Sequence, residues 1–184
     1  MLKRCGWLDL SSEIYVKYHD EEWGKPIFDD RKLFEFLILE GHQAGLSWLT
    51  ILRKRETYRL AFDCWDIAKI AQYNNLKFLE LLNNSGVIRN KLKIKSAIRN
   101  AGIFLEIQKE FGSFSKYLWG FVDHKPIINH FKDWQDIPVT TDLSDRISQD
   151  LKKRGMTFVG STIIYAFLQA VGLVNNHEEG CFMK

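Results

Sequence analysis

The chain is poor in the residues that stabilise secreted domains and in those that interrupt helices. Its 184 residues include only three cysteines and three prolines. Three cysteines are too few for a disulfide framework, so we expect a reducing, cytoplasmic compartment. No apolar run approaches the ~20 residues of a membrane span, and the first residues lack a signal-peptide core, which predicts no membrane association. A net charge of +3 permits contact with a polyanion without requiring it.

Apolar residues recur at helical intervals through most of the chain. Ile163, Ile164, Phe167, Leu168 and Val171, for example, fall on one face of a single helix. No convincing alternating strand pattern is present. The sequence therefore predicts an all-α fold, a compact helical domain over residues 1–184, with helices near 30–40, 47–61, 66–73, 76–83, 91–111, 114–121, 143–154 and 161–173.

Local signals support several of these boundaries. Asn75 and Asn90 are candidate N-caps, and Gly112 and Gly155 are candidate residues for ending helices. The stretch 123–141 holds two of the three prolines, so we interpret it as a connection between helices.

Both ends of the chain carry side chains that bind zinc. Cys5 and His19 lie near the start, and His177 and Cys181 lie near the end. Two thiolates and two imidazoles would complete a tetrahedral structural site. Only His177 and Cys181 have the short spacing of ordinary zinc modules, so spacing alone leaves open the alternative of buried thiols and surface imidazoles. If zinc binds, it joins termini 1–25 and 174–184 into an annex.

A carboxylate, an amide and an indole are expected around one bend between two helices. Glu40 should end the first helix, Gln43 lies in the bend, and Trp48 lies in the first turn of the next helix, which Ser47 can cap. A flat heterocycle could stack on the indole and hydrogen-bond to the carboxylate and the amide. The alternative is an ordinary helix–helix turn with a solvated glutamate and a core tryptophan.

A second candidate segment combines a tight hairpin with positive charge. A helix should end near Asn83, Gly86 permits a hairpin, and a new helix should begin after Asn90. Free N–H groups at a helix N-terminus bind phosphate, and Arg89, Lys91 and Lys93 would attract a polyanion. The arrangement is typical of a helix-hairpin-helix element that binds a DNA backbone, although such a charge run is also common on a merely solvated face.

Together, these segments resemble the 3-methyladenine DNA glycosylase I family of helix-hairpin-helix glycosylases, almost from end to end. The resemblance is carried by ordered motifs: Arg4-Cys5-Gly6-Trp7, Tyr18-His19-Asp20-Glu21-Glu22-Trp23-Gly24, Leu39-Glu40-Gly41, Gln43-Ala44-Gly45-Leu46-Ser47-Trp48, Lys152-Lys153-Arg154-Gly155, Phe158-Val159-Gly160 and Gly172-Leu173-Val174-Asn175 with His177 and Cys181.

The resemblance implies roles for particular residues. It places one structural zinc ion on Cys5, His19, His177 and Cys181. It places the base pocket on Glu40, Trp48, Tyr18, Tyr15 and Trp23, beside Gln43, and it implies that Leu46 fills the gap left by a flipped nucleotide. His42 departs from the expected glutamine, and we expect it either to alter the polarity of the pocket or to face solvent.

The implied function is excision of 3-methyladenine from alkylated double-stranded DNA by a monomeric, monofunctional enzyme without lyase activity. The methylated purine is already cationic, so little acid catalysis is needed, and Glu40 would recognise the base and stabilise positive charge. No aspartate lies between Asp66 and Asp123, which fits a family thought to lack the catalytic aspartate of other helix-hairpin-helix glycosylases. Two alternatives remain: a lyase that uses Lys91 or Lys93 as nucleophile, and a zinc-stapled DNA-binding module without base release.

Overall fold

The structure, a computed structural model, describes residues 2–184, which are mostly helical. The α-helices in chain order are α1 (Glu13–Glu21), α2 (Asp30–Gln43), α3 (Trp48–Ala61), α4 (Ile67–Ala71), α5 (Asn75–Asn83), α6 (Lys91–Phe111), α7 (Phe114–Gly120), α8 (Asp142–Lys153) and α9 (Ser161–Ala170). Short 3₁₀ turns cover Asp63–Trp65 and Trp134–Asp136. The two strands are β1 (Ile127–Ile128) and β2 (Val174–Asn175).

Helix α2 is the central element of the core. Every residue from Leu33 to His42 is buried, because the helix packs against α3, α6, α7 and α9. A helix that is covered on all sides must bury its polar residues as well, and α2 buries Glu35 and Glu40. The central position of α2 therefore brings a carboxyl group into the protein interior.

The longest helix begins and ends where the sequence predicts. The side chain of Asn90 accepts hydrogen bonds from the backbone N–H groups of Leu92 and Lys93, which caps the N-terminus of α6. Gly112 follows its last residue with a left-handed backbone, φ +84°. These two predicted boundaries are confirmed.

Other predicted boundaries are wrong. Helix α1 was not predicted, because its only buried residues are Tyr18 and His19 and it has no apolar stripe. Helix α2 continues three residues past its predicted end at Glu40, to Gln43, and Asn74 rather than Asn75 caps α5.

Helix α9 also ends earlier than predicted, at Ala170. Gly172 follows with φ +71°, and a Cβ atom there would lie 2.2 Å from the carbonyl carbon of Lys25. The chain can turn against the 25–26 backbone at this point only because residue 172 is glycine.

The expectation of a fold without strands needs a small correction. β1 and β2 pair in parallel, with Ile127 opposite Val174 and Ile128 opposite Asn175. Strands of two residues are too short to show an alternating pattern in the sequence. Their pairing fixes the predicted connection 123–141 against the C-terminal segment.

The two ends of the described chain contact each other directly. The backbone N–H of Phe182 donates to the carbonyl of Lys3 at 2.9 Å, and the N–H of Gly6 donates to the carboxylate of Glu178 at 2.8 Å. Among residues 2–184, no helix combines the length and the apolar character needed to cross a membrane.

Candidate active site

A cavity of about 400 Å³ lies where the N-terminal segment, α1, α2, α3 and α9 meet the 123–141 connection. Six predicted residues line it: Tyr15, Tyr18, Trp23, Glu40, Gln43 and Trp48. Six further residues line it without having been predicted: Trp7, Trp134, Gln135, Ile137, Ala166 and Gln169. The volume lies within the range that accepts a small organic ligand.

Glu40 supplies the carboxyl group of this cavity from the last turn of α2. Its side chain is only 4% exposed, and among the described residues it accepts no hydrogen bond. Burial raises the pKa of Glu40 to about 8, because the charged form loses its hydration. The carboxyl is therefore mostly protonated at neutral pH until a cation or a hydrogen-bond donor arrives.

Aromatic rings surround that carboxyl group. The ring centroids of Tyr18 and Trp48 are 5.5 Å apart, and the ring of Trp7 lies 5.3 Å from Tyr15 and 4.9 Å from Trp23. Burial raises the pKa of both tyrosines, with the charge of Glu40 adding to the effect, so both phenols stay neutral. Electron-rich ring faces beside a carboxylate suit a flat, cationic heterocycle.

The turn between α2 and α3 carries a leucine on the protein surface. The side-chain amide of Gln43 donates to the carbonyl of Leu46 at 2.8 Å, and Ser47 caps α3. Leu46 itself is 37% exposed. An apolar side chain at the tip of a rigid turn, next to the cavity, is available to contact a bound macromolecule.

His42 neither lines the cavity nor faces solvent, so both expectations for it are wrong. The ring is 1% exposed; Nε2 lies 2.7 Å from the carbonyl of Lys93, and Nδ1 lies 2.9 Å from the hydroxyl of Tyr58. Burial lowers the pKa of His42 to about 4, so the ring is neutral. The carbonyl requires the proton on Nε2; Nδ1 therefore accepts from Tyr58, whose oxygen accepts from the N–H of Ile88 at 2.9 Å.

Lys93 also lies differently from the other predicted DNA-contact residues. It is 6% exposed, and its ammonium donates to the carbonyls of His42 and Ala44 at 2.8 and 2.7 Å. The expectation of an exposed Lys93 is therefore wrong; the lysine instead caps the C-terminus of α2. No local pattern indicates this contact, because Lys93 belongs to a run of basic residues that is typical of a solvated face.

The remaining residues of the hairpin segment lie on the surface. Arg89 and Lys91 are exposed at the start of α6, next to the cap formed by Asn90. Gly86 packs closely on α3, where an added Cβ would lie 2.8 Å from the Cβ of Thr57. The connection 84–90 is therefore tied to α3, with positive charge directed outward.

Three of the predicted zinc ligands form a buried cluster. The ligand atoms of Cys5, His19 and Cys181 lie within 4.8 Å of one another, and the sulfur of Cys181 lies 3.6 Å from Nε2 of His19. The His177 ring lies close by, with its centroid 5.2 Å from that of His19. Its Nε2 is buried and has no hydrogen-bond partner among residues 2–184.

The surroundings of the two imidazoles fit a metal ion. Nδ1 of His19 lies 2.8 Å from the carboxylate of Asp20, and Nδ1 of His177 lies 2.9 Å from the side-chain oxygen of Asn175. Oxygen acceptors favour a proton on each Nδ1, which leaves the lone pair on each Nε2. Gly24 makes room for the cluster, because a Cβ atom there would lie 2.6 Å from Cε1 of His177.

Of the six cavity residues that were not predicted, one lies in a recognisable sequence motif. Trp7 belongs to the Arg4-Cys5-Gly6-Trp7 motif, which marked the N-terminal segment as distinctive but gave the indole no role. Trp134, Gln135 and Ile137 lie in a segment without helical periodicity, so no pattern pointed to the cavity. Ala166 and Gln169 lie on α9, where only the apolar face was predicted.

Comparison with known proteins gives consistent matches over nearly the whole chain. A family model described as methyladenine glycosylase matches residues 7–184. The chain is 48% identical over 184 residues to a DNA-3-methyladenine glycosylase of Haemophilus influenzae, covering 100% of this chain and 99% of that protein. It is similar to a crystal structure of 3-methyladenine DNA glycosylase I, with a TM-score of 0.94, 47% identity and coverage of 98% of both chains. A tyrosine-to-phenylalanine variant of 3-methyladenine DNA glycosylase I, in complex with 3-methyladenine, matches with a TM-score of 0.92 and 35% identity, over 94% of this chain and 93% of that one.

Proposed function

This chain belongs to the methyladenine glycosylase family, and from that premise we propose that it removes 3-methyladenine from alkylated double-stranded DNA in base-excision repair. One observation carries the proposal: the buried carboxyl group of Glu40, which has no hydrogen-bond partner among residues 2–184, lies in an aromatic cavity of about 400 Å³. A relative in the same fold was solved with 3-methyladenine bound. The cavity suits a flat, positively charged purine better than a neutral one.

The reaction is the hydrolysis of one bond. The flipped nucleotide enters the cavity, the bond between the sugar C1′ and the purine N9 breaks, and its electron pair neutralises the cationic base. Water adds to C1′ and loses a proton. Glu40, which loses its own proton as the cation arrives, accepts hydrogen bonds from the amino edge of the base and stabilises positive charge on the sugar.

The proposed reaction is monofunctional, without a lysine nucleophile. A Schiff base requires a free amine, but the ammonium of Lys93 is buried and donates to two backbone carbonyls. Lys91 is exposed at the start of α6 and does not line the cavity. Borohydride should therefore trap no covalent adduct with alkylated DNA, and a stable adduct would contradict this part of the proposal.

DNA would be held by the α2–α3 turn and by the segment 84–90, acting as the hairpin of a helix-hairpin-helix element with α5 and α6. Leu46 would occupy the space left by the flipped nucleotide, and Arg89, Lys91 and the N–H groups near Gly86 would contact phosphates. Lys93 is left out of this contact set because its ammonium is buried.

One structural zinc ion per chain is a further part of the proposal. Cys5, His19, His177 and Cys181 would hold it, and the unpartnered Nε2 of His177 supports this assignment. Four protein ligands leave no position for water, so the ion would fix the two termini and take no part in catalysis.

We further propose a single domain over residues 1–184 and a monomeric enzyme in the cytoplasm.

Release of free 3-methyladenine from alkylated duplex DNA by the purified protein tests the function. Glu40→Gln should slow release at least about tenfold while DNA binding is retained, since one oriented electrostatic group contributes at least this much. Glu106→Gln, an exposed change on α6, is the matched control and should leave the rate unchanged. Salt-sensitive DNA binding without base release would instead favour a DNA-binding module.

A further inference from the structure

Trp134 lies at the cavity although it belongs to the segment that was predicted only as a connection. It begins the short helical turn Trp134–Asp136, and its side chain is 43% exposed. The ring lies against the backbone of Gly6, where an added Cβ would be 3.0 Å from Cδ1 of Trp134. A large indole that lines a cavity and stays half exposed has apolar surface available to a ligand.

The buried side chain of Glu178 holds the backbone of both residues in this contact, Gly6 and Trp134. Glu178 is 5% exposed, and its Oε1 accepts from the N–H of Gly6 at 2.8 Å and from the N–H of Trp134 at 3.0 Å. Burial of a carboxyl group is costly unless it is hydrogen-bonded, and these two bonds offset that cost. One oxygen atom thus joins two segments that each bring a tryptophan, Trp7 and Trp134, to the cavity.

We propose that Trp134 contacts the flipped methylated base and helps to select it, and that Glu178 is the positioning residue that holds Trp134 in place. The inference rests on the proposed function and deepens it. A cationic purine gains from an additional indole face, whereas a neutral purine gains less. Glu178 lies outside the cavity and does not touch the base. It positions the Trp134 indole by accepting the backbone N–H of residue 134.

The first test compares single variants for release of 3-methyladenine and for binding of the free base. Trp134→Ala should raise KM for alkylated duplex by about tenfold, because stacking on an aromatic ring contributes this much per base. It should raise the Kd for free 3-methyladenine by a smaller factor, because the released base is neutral and gains less from the indole face. The kcat should not fall by more than about twofold, since the contact forms on binding and does not strengthen as the base becomes neutral. Val139→Ala, in the same connection, 70% exposed and away from the cavity, should change neither constant.

The second test separates positioning by Glu178 from a general structural role. Glu178→Ala should raise KM and Kd as Trp134→Ala does, whereas Glu178→Gln should keep wild-type values within about twofold, because an amide oxygen still accepts both N–H groups. The double variant Glu178→Ala with Trp134→Ala should lose no more than Trp134→Ala alone. Additive losses, or a loss accompanied by reduced metal content, would show that Glu178 acts elsewhere and would overturn its assignment.

The result for the wild-type protein distinguishes failure of the proposed function from failure of the role inferred for Trp134. If the wild type neither releases nor binds 3-methyladenine, the proposed function fails and this inference fails with it. If the wild type is active and Trp134→Ala leaves KM and Kd unchanged, only the role of Trp134 is refuted.

Discussion

Replacement of Glu40 by glutamine should stabilise the protein, even though it impairs the proposed reaction. The folded-state pKa of about 8 lies above the ordinary value of 4.5, so the folded protein binds more protons than the unfolded chain between these pH values. The free energy of unfolding therefore falls as pH rises through this window. The penalty is absent below about pH 4.5, reaches about 3 kcal/mol at pH 7, and is complete above about pH 8.

Urea unfolding of the wild type and of Glu40→Gln at pH 5, 6, 7 and 8 measures this difference. The variant's advantage should grow by about 1.4 kcal/mol per pH unit within the window, and titrations common to both proteins cancel. Glu106→Gln controls for the loss of one negative charge and should stay within about 0.5 kcal/mol of the wild type. An advantage that does not grow with pH, or a variant that is less stable throughout, would refute the assignment of Glu40 as a desolvated carboxyl group without a partner.

Three further predictions address the parts of the structure that support the cavity. Purified protein should contain about one zinc ion per chain by atomic emission. Cys181→Ser should lose the metal and lower the Tm, while the circular dichroism of the helical core persists. Full metal content in this variant would contradict the ligand set. His42→Leu should cost about 1–3 kcal/mol in urea unfolding, because the hydroxyl proton of Tyr58 loses its acceptor, while the Lys93 carbonyl still accepts from the Ser96 hydroxyl at 2.6 Å. His42→Gln should lose less than half of that, and equal losses would argue against the hydrogen-bond chain. Arg89→Ala should weaken binding to undamaged duplex DNA and reduce the slope of log K against log salt by about 1, and Arg31→Ala, an exposed change at the start of α2, should not.

The features that could be read from the sequence are those determined by neighbouring residues. Asn90 and Gly112 mark the start and the end of α6, and both could be predicted because a cap and a left-handed turn depend on local chemistry. The motif around Glu40, Gln43 and Trp48 indicated a binding site, since a carboxylate, an amide and an indole within one turn must lie close together.

The features that were missed depend on distant parts of the chain. Lys93 is buried because α6 passes the C-terminus of α2, where free carbonyls accept its ammonium. Trp134 reaches the cavity because Glu178, 44 positions further along, accepts its N–H. No local period or spacing encodes such contacts, since they arise only when the helices have packed.

The hydrogen bond between Gly6 and Glu178 joins residues 172 positions apart, so it closes a very long loop of the chain. Closing so long a loop costs conformational entropy, which contacts between distant residues must overcome. Glu40 takes its place on α2 through local helical contacts, whereas the wall of the cavity that contains Trp7 and Trp134 is completed only when Glu178 accepts the N–H groups of Gly6 and Trp134. The aromatic wall should therefore be among the last parts of the fold to form, and among the first to open when the two segments separate.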